Sequence, residues 1–128
     1  MQGRRSGGTV INTHIIGLKG EDKACSYLAS KGYTIVERNY RIRGGEIDII
    51  ASKDELLVFC EVKTLPSGNI EILSHELNKS KQMKIIKTSK CYIKSHREYN
   101  SKYLRFDVIA VDLPGQEPVY HIEDAFSE

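Results

Sequence analysis

The apolar and polar positions along the chain follow two different periods, and together these periods predict two helices and five strands. Apolar residues at helical spacing predict helices at residues 13–31 and 78–95. Runs rich in β-branched and aromatic residues predict strands at residues 33–38, 46–51, 56–63, 103–112 and 119–123. The order α-β-β-β-α-β-β predicts a mixed α/β fold with helices packed on a central sheet.

Glycine-containing and polar segments separate these elements. Gly32 stands where the first helix needs a left-handed C-cap residue. Residues 41–45 are predicted to form a basic loop, and residues 65–74 a second loop with a proline and a glycine. Residues 1–12 are predicted to be a flexible basic arm, interpreted as a frayed terminus, with contact to phosphate as the alternative. Residues 13–128 then form one domain of ordinary size.

Composition narrows the class of protein without naming a partner. The 128 residues are 40% apolar and 28% charged, with a net charge of +2, which is ordinary for a soluble globular domain. We find no apolar run long enough to cross a bilayer and no signal peptide, and we expect a cytoplasmic protein. The three cysteines lack C-x-x-C spacing and are predicted to be reduced, buried apolar residues: Cys25, Cys60 and Cys91.

The stretch between residues 45 and 63 carries the most informative chemistry. If residues 52–55 connect the two strands, Ala51 faces Leu56 and Asp48 faces Phe59. Because side chains alternate along a strand, four charged side chains share one face: Glu46, Asp48, Glu61 and Lys63. Five apolar side chains share the other: Ile47, Ile49, Val58, Cys60 and Val62.

Carboxylates grouped on such a hairpin need a partner. Opposed like charges destabilise a sheet, and buried carboxylates are costly unless they are paired or bind a cation. Mg²⁺ or Mn²⁺ fits this donor type, with Lys63 close enough to act on water or phosphate. An exposed, alternately charged sheet face with a Glu61–Lys63 pair is the alternative, but the spacing D-x(12)-E-x-K favours the metal site.

At the level of families, Asp48 and the Glu61-Val62-Lys63 motif resemble the PD-(D/E)xK nuclease core of the restriction-endonuclease-like fold. A longer series of motifs over residues 17–126 resembles the YraN-like family of small bacterial proteins regarded as endonucleases, similar in fold to archaeal Holliday junction resolvases. The motifs are Gly20-Glu21-x-x-Ala24, Tyr33, Arg38-Asn39, Gly45-Glu46-Ile47-Asp48, Phe59-x-Glu61-Val62-Lys63, Lys81-Gln82, Arg105-Phe106-Asp107-Val108 and Ala125-Phe126.

The resemblance implies a three-layer core with a mixed sheet and a role for each matched residue. Asp48 and Glu61 would bind the metal together with the Val62 carbonyl, and Lys63 would be the active-site lysine. Glu21 matches an additional acid of related resolvases, and a solvated helix glutamate is its alternative. By the same analogy the protein would form a homodimer.

Glu46 and Thr64 are two further positions to compare with the family pattern. Glu46 matches the family motif and is retained as a catalytic candidate without an assigned role. Thr64 stands where family members commonly have arginine, which bears on substrate grip more than on the fold.

Basic residues supply the candidate nucleic-acid contacts, which are Arg41, Arg43, Lys81, Lys84 and Lys87. In the second helix a solvated lysine face is the favoured interpretation and a phosphate-facing strip the alternative. Lys81 lies at the border of the apolar face, from which it can point towards the catalytic residues. Arg105 and Asp107 are interpreted as structural residues that pair with neighbouring charges, and the four histidines as surface or capping residues: His14, His75, His96 and His121.

Three functions are compatible with these residues. The favoured one is a metal-dependent nuclease acting on DNA phosphodiesters, with branched structures as candidate substrates. The alternatives are a nuclease-like DNA-binding module without useful turnover and a scaffold that binds protein. The intact set of Asp48, Glu61 and Lys63 favours the first over the third.

Overall fold

The computed structural model describes residues 19–128. The predicted basic arm, the predicted start of the first helix and His14 lie outside these residues. The helices are α1 (residues 19–30), α2 (Ile70–Glu76) and α3 (Lys79–Ser95), and a short 3-10 helix spans Arg97–Tyr99. The strands are β1 (Thr34–Ile42), β2 (Gly45–Lys53), β3 (Leu56–Thr64), β4 (Tyr103–Val111) and β5 (Val119–Phe126).

The five strands form one sheet in the order β1-β2-β3-β4-β5. All neighbours are antiparallel except β3 and β4, which are parallel. A parallel pair requires a long crossover, and here the crossover contains α2 and α3. The predicted mixed α/β class is therefore confirmed.

Helices cover both faces of the sheet. Ala24 and Leu28 of α1 pack with sheet residues such as Ile49 in one cluster. On the opposite face α2 and α3 contribute buried residues that include Leu73 and Tyr92. The packing of α3 follows from its sequence, because its apolar and small residues recur on one side: Ile85, Ile86, Thr88, Ser89 and Tyr92.

Helix α2 corrects the prediction of a loop at residues 65–74. The Asn69 side chain caps the helix by accepting a hydrogen bond from the Ile72 amide at 2.9 Å. Leu73 and Leu77 are buried one turn apart. This cap and spacing were visible in the sequence, but the segment is short and contains a proline and a glycine, which favoured a loop.

The strand ends also differ from the predictions. β1 continues to Ile42, so Arg41 lies in a strand and only residues 43 and 44 form the turn. β5 continues past residue 123 to Phe126. The β2–β3 turn has two residues, with Asp54 at φ +54°, a conformation that aspartate tolerates. Ala51 consequently pairs with Val58 and not with Leu56.

Both outer strands of the sheet are irregular. In β1 the register shifts between Ile35 and Glu37, and Asn39 has φ +53°. In β5 three residues lie between the partners of Phe106 and Val108, and Asp124, one of these three, has φ +53°. Each outer strand therefore bends away from a regular ladder.

The cysteines match their prediction only in part. All three cysteines are free, but only Cys60 is fully buried, while Cys25 and Cys91 are partly exposed. None of the helices within residues 19–128 is long and apolar enough to span a bilayer.

Candidate active site

The β2–β3 hairpin opens where its acidic residues begin. The paired residues end at Ile49 and Cys60. Beyond this pair, a carboxylate oxygen of Asp48 accepts a hydrogen bond from the backbone N–H of Val62 at 2.8 Å. The Asp48 side chain therefore bridges the two strands in place of a backbone ladder bond.

Strand β2 also turns at Asp48. Ile47 and Ile50 belong to the same apolar cluster, on the side of α3, whereas strict alternation would place them on opposite faces. Ile49 lies in the other cluster, on the side of α1. The prediction that Ile47 shares the face of Ile49 is wrong, because the strand rotates between these residues at the point where the hairpin opens.

Glu61 is a buried acid held between two lysines. Its side chain is 5% exposed, and its Oε2 lies 3.7 Å from Lys63 Nζ and 3.6 Å from Lys81 Nζ. Lys81 lies on the first turn of α3, whose start is fixed by the Asn78 side chain accepting from the Lys81 amide at 3.0 Å. The structure thus brings Lys81 to the carboxylate site, where its place at the border of the apolar face had suggested it would point.

Lys63 has a second acidic partner that sequence reasoning missed. Its Nζ lies 3.1 Å from Glu76 Oε1, at the end of α2. Because α2 was predicted as a loop, Glu76 had no place in the predicted site. Recognition of the Asn69 cap was the signal that could have found it.

Burial and like charge act on the two carboxylates. Burial and the charge of Glu61 raise the pKa of Asp48 to about 7, although the Val62 N–H opposes the shift. Burial also raises the pKa of Glu61, although Lys81 and Lys63 lower it part of the way. Burial opposes the charged form of Lys63, but the contacts with Glu76 and Glu61 prevail and raise its pKa. Negative charge at this site is therefore only partly balanced.

Glu21 lies on α1, close to this site but engaged elsewhere. Its Oε1 accepts from Asn39 Nδ2 at 3.1 Å and lies 3.4 Å from an Arg38 guanidinium nitrogen. Its charge contributes to the raised pKa of Asp48. Within residues 19–128, no group of three or more His, Cys, Asp or Glu side chains is arranged to hold a metal ion.

The predicted nucleic-acid residues divide between two grooves. One groove, of about 320 Å³, lies beside the site and is lined by residues that include Arg41, Glu46, Lys81 and Lys84. Lys87 lines a different groove, with an apolar floor, on another side of α3. Arg43 lies exposed in the β1–β2 turn. The lysines of α3 thus do not line one common groove.

Comparison with known proteins identifies the family. The model of the uncharacterised protein family UPF0102 matches residues 20–111. A UPF0102 protein of Treponema denticola is 42% identical over 124 residues, covering 88% of this chain and 95% of its own. One of Alkaliphilus oremlandii is 46% identical over 113 residues, covering 87% and 97%. The chain belongs to the UPF0102 family. The predicted relationship to YraN-like proteins is confirmed at this level.

The segment matched by UPF0102 contains every candidate of the carboxylate site and also a second buried acid, Asp107. Asp107 accepts two hydrogen bonds from Arg105, at 2.8 and 2.7 Å. It also contacts His121 Nε2 at 2.6 Å and accepts from the Asp124 amide at 3.0 Å. Arg105 and Asp107 were expected to pair with neighbouring charges, and the structure shows that they pair with each other.

His121 corrects the interpretation of the histidines as surface or capping residues. Its side chain is only 4% exposed, and its Nδ1 lies 3.2 Å from the Tyr27 hydroxyl. His121 lies beyond the segment matched by the UPF0102 model. Its partners are 14 and 94 residues away in the chain, so spacing in the sequence carried no signal of them.

Proposed function

We propose that this UPF0102 protein has the restriction-endonuclease-like core and is a metal-dependent nuclease that hydrolyses DNA phosphodiester bonds. The observation that carries the proposal is the Asp48 carboxylate at the opening of the β2–β3 hairpin, beside the buried acid Glu61. Asp48 and Glu61 repel each other, and burial penalises both charges. A divalent cation would relieve this repulsion.

The donor set fits Mg²⁺ or Mn²⁺. Mg²⁺ takes one or two carboxylates and keeps several waters, which suits the pair Asp48 and Glu61. Asp48 and Glu61 would hold the ion, together with the Val62 carbonyl. Glu21, near enough to act on Asp48 through charge, is the further candidate ligand. When bound, the ion would supply a Lewis acid for the phosphate and lower the pKa of an attacking water.

The two lysines then have separable roles. Lys63 lies between Glu61 and Glu76, and two acidic neighbours stabilise its ammonium form. This favours binding of the transition-state phosphate over deprotonation of water. Lys81, 3.6 Å from Glu61, would balance the charge of the phosphate. DNA as substrate, branched structures and a homodimer remain predictions from the resemblance.

The test is cleavage of a panel of linear, flapped, four-way-junction and single-stranded DNA, and of RNA, with Mg²⁺ and with Mn²⁺. Asp48→Asn and Glu61→Gln should each weaken Mn²⁺ binding, measured calorimetrically, because carboxylates supply ligand charge. Lys63→Ala should leave Mn²⁺ binding largely intact and abolish cleavage, since an ammonium group does not bind a cation. Lys23→Ala is the control, because Lys23 pairs with Asp112 on the surface, apart from these contacts.

Each possible result decides between the proposed functions. Cleavage that persists in all three site variants would identify a contaminating nuclease and contradict the proposal. Mn²⁺ binding that depends on Asp48 and Glu61, without cleavage of any substrate, would favour the DNA-binding module over the nuclease.

A further inference from the structure

Most of the charged side chains that line the groove beside the candidate site are cationic. Arg41 enters it from β1, and Lys81 and Lys84 enter from α3. Ile42 and Ile85 contribute apolar surface, and Glu46 is the acidic residue of the lining. Because Lys81 also contacts Glu61, the groove leads directly to the candidate site.

Gly45 allows the two sides of this groove to approach each other. A Cβ at Gly45 would lie 2.2 Å from Thr88 Oγ1 of α3 and 3.5 Å from the Lys84 carbonyl oxygen. Without a side chain, the start of β2 rests against the helix. Arg41 pairs directly with Glu46 across the β1–β2 ladder, so the same contact brings Arg41 to the lysines of α3.

This groove differs from its neighbour on α3 in its surface and position and not in its balance of charges, because three lysines also line the neighbour: Lys79, Lys87 and Lys90. The second groove has an apolar lining that includes Met83 and Ile86, and Glu128 forms an ion pair at its rim with Lys90. The first groove combines three cations with a partly polar surface. An extended polyanion matches it, and a phosphodiester backbone is the polyanion that a site for phosphodiester hydrolysis has to hold.

Glu46 already forms an ion pair with Arg41, the arginine of this groove. Its Oε2 lies 3.0 Å from Arg41 Nε, with the side chains 44% and 71% exposed. An exposed ion pair of this kind is weak, and a phosphate offers arginine a stronger two-point contact. Glu46 and a phosphate would therefore compete for Arg41.

We propose that this groove binds the backbone of the strand that leads to the candidate site, and that Glu46 is a positioning residue that holds Arg41 and limits its grip on phosphate. The inference rests on the proposed function and gives a role to Glu46, which the family resemblance left unassigned. It also predicts that Lys84 contacts the backbone more than Lys87 does.

Binding without metal tests this directly. Fluorescence anisotropy of labelled single-stranded and duplex DNA in EDTA, over a range of salt, compares the wild type with Glu46→Gln. We expect Glu46→Gln to bind several-fold more tightly, with a salt dependence steeper by about one released counterion. Glu117→Gln makes the same charge change on the β4–β5 loop and should alter affinity less than about twofold.

Variants of the cations complete the test. Arg41→Gln and Lys84→Gln should each weaken binding about three- to tenfold, and Lys87→Gln much less. In the Arg41→Gln background, Glu46→Gln should bring no further gain, because its effect passes through Arg41. An equal effect of Glu46→Gln and Glu117→Gln, or of Lys84→Gln and Lys87→Gln, would overturn the inference.

The two proposals can fail separately. If the wild-type protein binds no DNA in the absence of metal, the proposal that the groove binds the DNA backbone is overturned. The nuclease proposal depends instead on cleavage with Mg²⁺ or Mn²⁺. Binding that follows the expected pattern without any cleavage would support the groove and contradict the nuclease.

Discussion

Two carboxylates of the same sheet, the buried Asp107 and the half-buried Asp48, lie in opposite electrostatic settings. Asp107 contacts a bidentate arginine, a histidine and a backbone amide. Burial opposes its charged form, but the hydrogen bonds from His121 and Arg105 prevail and hold its pKa below the usual value. Asp48 has one backbone N–H and a repelling neighbour, and burial raises its pKa to about 7.

The difference between the two sites concerns charge and not missing hydrogen bonds. Within residues 19–128, every buried side-chain nitrogen or oxygen has a hydrogen-bond partner. The Asp107 site balances its own charge and is complete as it stands. The Asp48 site retains excess negative charge, which is the condition a cation-binding site requires. Stability measurements can therefore separate a structural carboxylate from a functional one.

The largest effect is expected at the balanced site. Asp107→Asn should lower the free energy of unfolding by about 3–5 kcal/mol, because it removes the buried charged partner of Arg105, whose other acidic neighbour, Glu123 at 3.6 Å, is exposed. Urea unfolding followed by circular dichroism measures the loss. Asp112→Asn is the matched control: its partner Lys23 is exposed, and the loss should stay below about 1 kcal/mol. Equal losses in the two variants would contradict the comparison.

The opposite sign is expected at the unbalanced site. In EDTA at pH 8, Asp48→Asn should raise the free energy of unfolding by about 1 kcal/mol, because it removes a charge that burial and Glu61 penalise. The pKa of Asp48 is higher in the folded state than its ordinary value of 3.8. Between that value and about 7 the folded protein binds more protons, so the wild type loses stability as pH rises.

Urea midpoints of the wild type and Asp48→Asn at several pH values measure this second effect. The gap between them should grow as pH rises from 4 towards 7 and then level off. Mn²⁺ should stabilise the wild type more than the variant. A variant less stable than the wild type at pH 8 in EDTA would show that Asp48 is a structural acid like Asp107.

The smallest effect is expected at Tyr27, whose uncharged hydroxyl contacts His121, a partner of Asp107. Tyr27→Phe removes the hydroxyl that lies 3.2 Å from His121 Nδ1. The expected loss in free energy of unfolding is about 0.5 kcal/mol, the low end of the contribution of one uncharged hydrogen bond, because this contact is long and only part-buried. Tyr103→Phe, at a tyrosine that is 76% exposed, should change it by a few tenths at most. A loss at Tyr27 as large as that of Asp107→Asn would make the hydroxyl part of the charged network.

The sequence predicted those parts of the fold that local patterns determine. The antiparallel β2–β3 pair and α3 follow from the periods of apolar residues, and the structure adds Asn78 as the N-cap of α3. The register of the pair was wrong by two residues because the turn uses Asp54 at positive φ, and turn length is weakly encoded. Helix α2 was missed because seven residues after a proline and a glycine give little periodic signal.

In the candidate site, too, some features follow from local sequence patterns and others depend on tertiary contacts. Asp48, Glu61 and Lys63 could be singled out because they lie on one hairpin, where strand alternation relates them. The rotation of β2 at Asp48 could not be predicted from the sequence, since it depends on the Val62 amide of the next strand. Glu76 and His121 depend on tertiary contacts, and no local pattern indicates which side chain will meet them.

The irregular outer strands have a consequence for how the protein behaves at high concentration. A sheet edge presents unpaired N–H and C=O groups that can pair with a strand of another molecule. Here Asn39 bends one edge and Asp124 the other, and the register shifts beside both. Because neither edge offers a long, flat run of backbone, both resist the strand-by-strand addition from which aggregates grow.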